Sequence, residues 1–413
     1  MQAKIVFAGS NTTSYQQAAV AVTELFELPM TDQQVRRVCK PIGAERCAER
    51  DAATAAYAAL PLVERKGVPE GVTAPDLAVV GVDGGRLQII ERSTSPDDAA
   101  TDDPIDDDGE ERVNNGRHWR EDKIGLLMTM TSDEHETDPC PEIPETFVDP
   151  LRIVKLAREL KKRSPPVEDA SALPADDDSP PADSTEGSAA WKPPKVKAKQ
   201  LVASRRPWAA FGPMVAAAAW QSGFYGASRK AFLGDGAETN WTVWRNHFSS
   251  FVPILDFIHA LSYVFAAAMA GRTFAEGWSC YVRWIDLVWQ GRVDAVIEEL
   301  VVRQSELSVA DDVVGGPRRL VASALGYLRN NRERMKYAEY RRAGLPMVSS
   351  YVESAVKQFN YRVKGSEKFW TEAGAEEMLQ LRADLLSSNQ PLVAFWARRE
   401  ANESGQHRYR MAA

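Results

Sequence analysis

Apolar and polar positions along this chain change their spacing several times, and each change marks an element. Over residues 1–72 apolar residues recur at helical intervals, and a Thr–Asp start opens "TDQQVRRVCKPIGAERCAERDAATAAYAAL". Pro41 and Gly43 interrupt that pattern and predict two short helices around a break, as in a helix-turn-helix. At 76–91 the pattern changes. An apolar run from Leu77 ends on Asp83, Gly84–Gly85 reads as a turn, and Arg86 to Glu91 alternates, which predicts a hairpin. "DKIGLLMTMTS" (122–132) predicts a third strand, and "DPLRIVKLARELKKR" (149–163) a short helix.

Residues 164–199, rich in Pro, Asp, Ser and Ala, read as a disordered linker. Order resumes at Trp208 with a small-residue helix over 208–228. "RKAFLGDGA" (229–237) predicts a strand bearing Asp235, "ETNWTVWRNHF" a helix, and "FVPILDF" (251–257) a fifth strand. Everything after Ile258 has a helical pattern, broken at "DDVVGGP" (311–317). Three strands in meander followed by helix, strand, helix, strand predict an α/β fold with a mixed sheet, in the strand order of an RNase H-like domain. The expected segments are a helical N-terminal region (1–72) and a first core part with three strands (73–163) carrying an acidic insertion (97–112). The linker (164–199), a second core part (200–257), a large all-helical insertion (258–335) and closing helices (336–413) follow. In that order Asp83 and Asp235 end neighbouring parallel strands and meet at one sheet edge.

Charge sharpens this picture. The net charge of -8 hides two acidic tracts: residues 97–112 hold nine acids and one Arg, and 168–186 hold seven acids and no base. Together they carry -15, so the rest of the chain is +7, since -8 minus -15 is +7. Residues 318–368 hold twelve Lys/Arg against four Asp/Glu, a balance that suits a phosphate backbone as well as a solvated helix face. "FVPILDFIHALSYVFAAAMAG" (251–271) carries Asp256 and His259 and reads as a strand running into a helix rather than a membrane span. The start, MQAKIVFAGS, lacks the long apolar region of a signal peptide, and four cysteines form no CxxC pair; both fit a cytoplasmic protein. No GxGxxG or GxxxxGK[ST] appears, so no nucleotide cofactor is expected.

Two carboxylates at adjacent strand ends repel each other unless a cation lies between them, and hard oxygen donors select Mg²⁺ or Mn²⁺. A third carboxylate from another element is expected, and Glu353 in "GLPMVSSYVESAVKQFNYRVKG" (344–365) is the candidate. Val352, Ala355, Val356, Phe359 and Val363 form one face of that helix; Glu353, Lys357, Asn360 and Lys364 fall on another. Read alone, Glu353 is better taken as a surface acid paired with Lys357.

Taken together, these stretches resemble a known family. "VVGVDGGRLQI", "WREDKIGLLMTM", "FLGDGAETNW", "PILDFIHALSYV" and "YRRAGLPMVSSYVESAVKQFNYRVKGSEKFWTEAGAEEMLQLRA" are similar to bacterial insertion-sequence DDE transposases of the ISLre/ISKra type, relatives of the Mutator-like transposases. The resemblance spans roughly 40–385 and implies an RNase H-like catalytic core with a helical insertion. It implies metal-dependent strand cleavage and strand transfer at the ends of a mobile element, on double-stranded DNA, by a homo-oligomer. Asp83, Asp235 and Glu353 match the family's metal-binding triad, with Asp83 bridging two Mg²⁺ ions. Asp256 and His259 match its Asp-x-x-His signature; Asp256 is the rival second ligand, and His259 is read equally as a core histidine. Lys357, Arg362 and Lys364 are expected at phosphates; Trp370 reads first as core or helix packing and second as a stacking platform for a flipped or frayed base. Ser349–Ser350 stand where relatives often carry a glycine. A decayed or domesticated transposase that only binds DNA is the alternative reading.

Overall fold

Four helices precede the sheet: α1 (Gln2–Asn11), α2 (Tyr15–Phe26), α3 (Asp32–Ala59) and α4 (Leu62–Arg65). The computed structural model describes residues 1–90, 117–159, 191–308, 313–365 and 368–402. The acidic insertion 97–112 and residues 164–190 of the expected linker lie outside the described residues.

The helix-turn-helix expectation fails. Thr31 and Gln34 form a capping box, and α3 then runs 28 residues without interruption. Pro41 lies on its exposed side, where the carbonyl it leaves unpaired meets water. Gly43 is buried against the next layer: a Cβ there would come within 2.7 Å of Glu377 Cβ, so the glycine permits close packing rather than a break.

The remaining elements alternate as an α/β fold. They are β1 (Leu77–Ile90), β2 (Arg117–Thr131), α5 (Pro150–Glu159), β3 (Lys195–Ser204), α6 (Trp208–Gln221), β4 (Arg229–Gly234), α7 (Glu238–His247) and β5 (Val252–Leu255). Helices α8 (Phe257–Met269), α9 (Phe274–Trp289), α10 (Val293–Glu306), α11 (Pro317–Asn331), α12 (Tyr337–Arg342) and α13 (Ser350–Val363) follow. Then come β6 (Phe369–Trp370), α14 (Glu372–Leu386) and α15 (Pro391–Asn402). The sheet is mixed, in the order β3-β2-β1-β4-β5 with β6 beside the far end of β1. Pairs β1–β2 and β2–β3 are antiparallel; β1–β4, β4–β5 and β1–β6 are parallel.

Two strand expectations need correction. There is no hairpin at 76–91: β1 is continuous, pairing with β2 from Leu77↔Met130 to Ile90↔Arg117, and neither Gly84 nor Gly85 takes the positive φ of a hairpin turn. The stretch at 122–132 is therefore the second strand. The third, β3, begins inside the expected linker, and its signal was the alternation "KVKAKQLV", with lysines at 195, 197 and 199 as an edge strand carries them.

The core runs through the first half of β1. Leu77, Ala78, Val79 and Val80 are fully buried, each larger side chain contributing about 1.5–3 kcal/mol. α13 covers one face, so close that a Cβ on Gly81 would lie 2.5 Å from Val352 Cγ2. α6 covers the other, where a Cβ on Gly125 would lie 2.8 Å from Val215 Cγ2. A second core joins α1–α3 to α14 and α15 through Val6, Val22, Val35, Leu381 and Phe395. Among the described residues no helix is long and apolar enough to cross a membrane.

Candidate functional site

β4 stops pairing with β1 at Gly81, and β6 joins β1 only at Gln88. The edge of β1 between these contacts borders an open cleft of about 390 Å³, lined by Asp83, Arg86, Trp208, Asp235, Asn360 and Lys364 among others. Asp83 is thus the first side chain on its face beyond the two-sided core. Burial first, and then the charge of Asp235, push its carboxyl up to about 7; the Gly84 N–H donates to its Oδ1 at 2.7 Å and partly opposes them.

The glycines after Asp83 make room for acids from β2. A Cβ on Gly84 would lie 3.3 Å from Glu121 Oε1, and one on Gly85 2.8 Å from Asp122 Oδ1, on the opposite face. Glu121 accepts from Trp208 Nε1 (3.1 Å) and pairs with Lys123 (2.9 Å), fixing one cleft wall.

Asp235 follows β4. Its Oδ1 accepts from the Ala237 N–H (2.9 Å) and from Asn240 Nδ2 (2.7 Å), while the same amide reaches the Val82 carbonyl at 3.4 Å and so ties Asp235 to β1. The Tyr327 hydroxyl donates to the Asp235 carbonyl at 2.5 Å. Neither Asn240 nor Tyr327 stood out in the sequence; an Asn five residues after the Asp, on the same side of the α7 start, was the available signal.

Asp256 ends β5 and caps α8. It is fully buried, and both oxygens are engaged: Oδ1 accepts from the Ile258 N–H (2.8 Å), and Oδ2 takes the Ser349 hydroxyl and His259 Nδ1 (3.1 Å). Ser349 thus braces this aspartate. Ligand atoms of Asp256, His259 and Glu353 all lie within 4.8 Å of one another. Because the oxygens of Asp256 are already used, its geometry suits orienting His259 better than holding an ion. Burial alone would lower the His259 pKa; the hydrogen bond and charge of Asp256, then Asp235 and Glu353, outweigh it and raise it to about 9. The carboxylates around His259 thus favour its protonated form over the neutral one that burial favours.

Glu353 occupies the first turn of α13, and both Asp83 and His259 feel its charge. Asp83 and Asp235 line the cleft; Glu353 and His259 do not line it but lie near enough for their charges to act on Asp83. Lys364 lines the cleft, with its ammonium 5.7 Å from the Trp119 ring. Lys357 is exposed but does not line it. One expected contact is corrected, and of the two readings of Trp370 the packing one is met. Arg362 is buried, donates to the Gly9 carbonyl at 2.8 Å and stacks on Tyr15 and Trp370, so it anchors α1 and α2 and is shielded from phosphate. Trp370 is buried too, its indole N–H held by the Val363 carbonyl (2.8 Å), and offers no face to a base. A scan against protein-family models and a search of curated proteins return no match for this chain.

Proposed function

We propose that this chain is a DDE-type transposase: a metal-dependent nuclease and strand transferase with an RNase H-like core. The observation that carries the reading is the placement of Asp83 and Asp235, at the ends of neighbouring parallel strand segments, on one cleft, with Glu353 of α13 near enough for its charge to act on both Asp83 and His259. The strand order, with β1 and β4 parallel neighbours, supports the fold assignment.

The donor set fits a divalent cation. Asp83 is held back from ionising by burial, by Asp235 and to a lesser degree by Glu353, a penalty that a cation removes. Asp83, Asp235 and Glu353 would hold Mg²⁺ or Mn²⁺. When bound, such ions supply Lewis-acid activation of the attacking oxygen and stabilisation of the leaving one.

The chain's own residues do the rest. Asn240 holds the Asp235 carboxylate and the β1 backbone in one frame, fixing the spacing of Asp235 and Asp83. Asp256 and Ser349 set the His259 ring so that Nδ1 faces inward and Nε2 is left for the carboxylates or a phosphate oxygen. Arg86 and Lys364 on the cleft rim would bind the DNA backbone on either side of the scissile phosphate. The substrate is double-stranded DNA at element ends, engaged by more than one copy of the chain.

The test is nicking of a plasmid carrying the element's own ends, with Mg²⁺ and with EDTA, by wild type and Glu353→Ala. Cleavage at the ends that needs both the metal and Glu353 is the expected result. Folded protein that binds the ends and never cuts them would sink the reading in favour of a DNA-binding role alone.

A further inference from the structure

The Gly85 wall of the cleft carries a second group of oxygens that the proposed chemistry does not use. Asp122 stands opposite Gly85 on β2, fully buried, and among the described residues neither of its carboxylate oxygens meets a side-chain donor; its own backbone N–H and the charges of Lys123 and Lys364 offset its burial only in part. Both oxygens crowd the position where a Cβ on Gly85 would sit, at 2.8 and 3.0 Å, so the carboxylate fills the space of the missing side chain.

α13 supplies the other half. It runs along β1 in the same direction: Val352 meets Gly81 at one end, and beyond the other the Gly365 carbonyl accepts from Gln88 Nε2 at 2.8 Å. From Val352 to Gly365 a helical path covers roughly 20 Å, and from Gly81 to Gln88 a strand covers roughly 23 Å. The two therefore advance together, and Asn360 falls over Gly85. Asn360 and Gly85 line the same cleft, and Asn360 Oδ1 is likewise buried without a donor. Through Gly85, which one touches and the other shares a cleft with, β2 and α13 thus bring three oxygens without side-chain donors to the same stretch of β1. Buried acceptors in this state are costly unless a cation satisfies them.

We propose that Asp122 and Asn360 form a separate site for a hard divalent cation, Mg²⁺ or Mn²⁺, which ties β2 to α13 and so steadies the helix that bears Glu353. Oxygen donors of this type select such ions over zinc. The site does not depend on the transposase reading, because none of its donors belongs to the Asp83–Asp235–Glu353 group.

The experiment is Mn²⁺ binding to the full chain, followed by calorimetry and by the free-Mn²⁺ spectrum. The starting variant is Asp83→Asn/Asp235→Asn/Glu353→Gln, with its fold checked by circular dichroism. It is expected to bind one Mn²⁺ per chain. Adding Asp122→Asn should weaken that binding at least tenfold, and Asn360→Asp in its place should tighten it, a gain that a folding defect cannot imitate. If the starting variant binds no Mn²⁺, or if Asp122→Asn leaves its binding unchanged, the site does not exist. A wild type that never cuts DNA, beside a starting variant that still binds one ion, would overturn the transposase reading and leave this site standing.

Discussion

The ends of β4 and β5 look alike and behave differently. Each is a short parallel strand running into an aspartate that precedes a helix, Gly234–Asp235 in one and Leu255–Asp256 in the other. Asp235 has only its Oδ1 fixed, by Ala237 and Asn240, and it lines the cleft. Asp256 is fully buried, with both oxygens taken by Ile258, Ser349 and His259. Position at a strand end therefore does not by itself leave a carboxylate free to bind. What decides is how many of a carboxylate's lone pairs the protein has already used.

Substitutions at the two ends should separate them, and the largest effect belongs to β4. Asp235→Asn keeps the shape and removes the charge, so metal-dependent nicking should fall by about 10³-fold or more with the fold intact. Comparable activity in that variant and wild type would end the distinction. Asp256→Asn should be milder, costing roughly 10–100-fold, because it frees the orientation of His259 without removing a proposed ligand. Its sharper signature is the titration of His259, read by NMR in the metal-free protein: the pKa should drop well below about 9, because its largest upward influence is the Asp256 carboxylate. An unmoved His259 would mean that Asp235 and Glu353 hold the proton.

Stability against pH probes the same cluster. Both raised groups act in one direction. Asp83, unfolded near its ordinary 3.8 and folded near 7, takes stability away as pH rises through that window. His259, raised from 6.5 to about 9, contributes stability that is complete below 6.5 and lost as pH climbs through 9. Asp83→Asn should therefore raise the melting temperature of the metal-free protein at pH 8 by roughly 5 °C and leave it nearly unchanged at pH 4. Equal shifts at both pH values would show that ionisation of Asp83 is not the source. The smallest effect is expected at Tyr327→Phe. It removes one hydroxyl from the Asp235 carbonyl and should cost about 1 kcal/mol in denaturant unfolding, with Mn²⁺ affinity little changed.

Some of this was legible along the chain. The buried first half of β1 is a plain apolar run, and β4, α7, β5 and α8 fall where periodicity puts them. Other features were not legible, for identifiable reasons. Gly84–Gly85 has the composition of a turn, yet its role is to admit Glu121 and Asp122 from the next strand. Pro41 and Gly43 look like a break, yet one faces water and the other faces α14. The lysines of β3 hide an edge strand behind polar surroundings. Arg362 and Trp370 have the residue types of nucleic-acid contacts, but Tyr15 and Gly9, more than 340 residues earlier, claim them for packing.

The amino-acid sequence by itself determined the local elements and the acids available at their ends, because strand and helix periods and capping preferences act over a few residues. Only the tertiary structure decided which of those acids share a cleft, which are spent on internal hydrogen bonds, and which cations reach solvent. Those outcomes depend on burial and on partners from distant segments, such as Ser349 for Asp256 and Gly9 for Arg362, and no short window of sequence contains them.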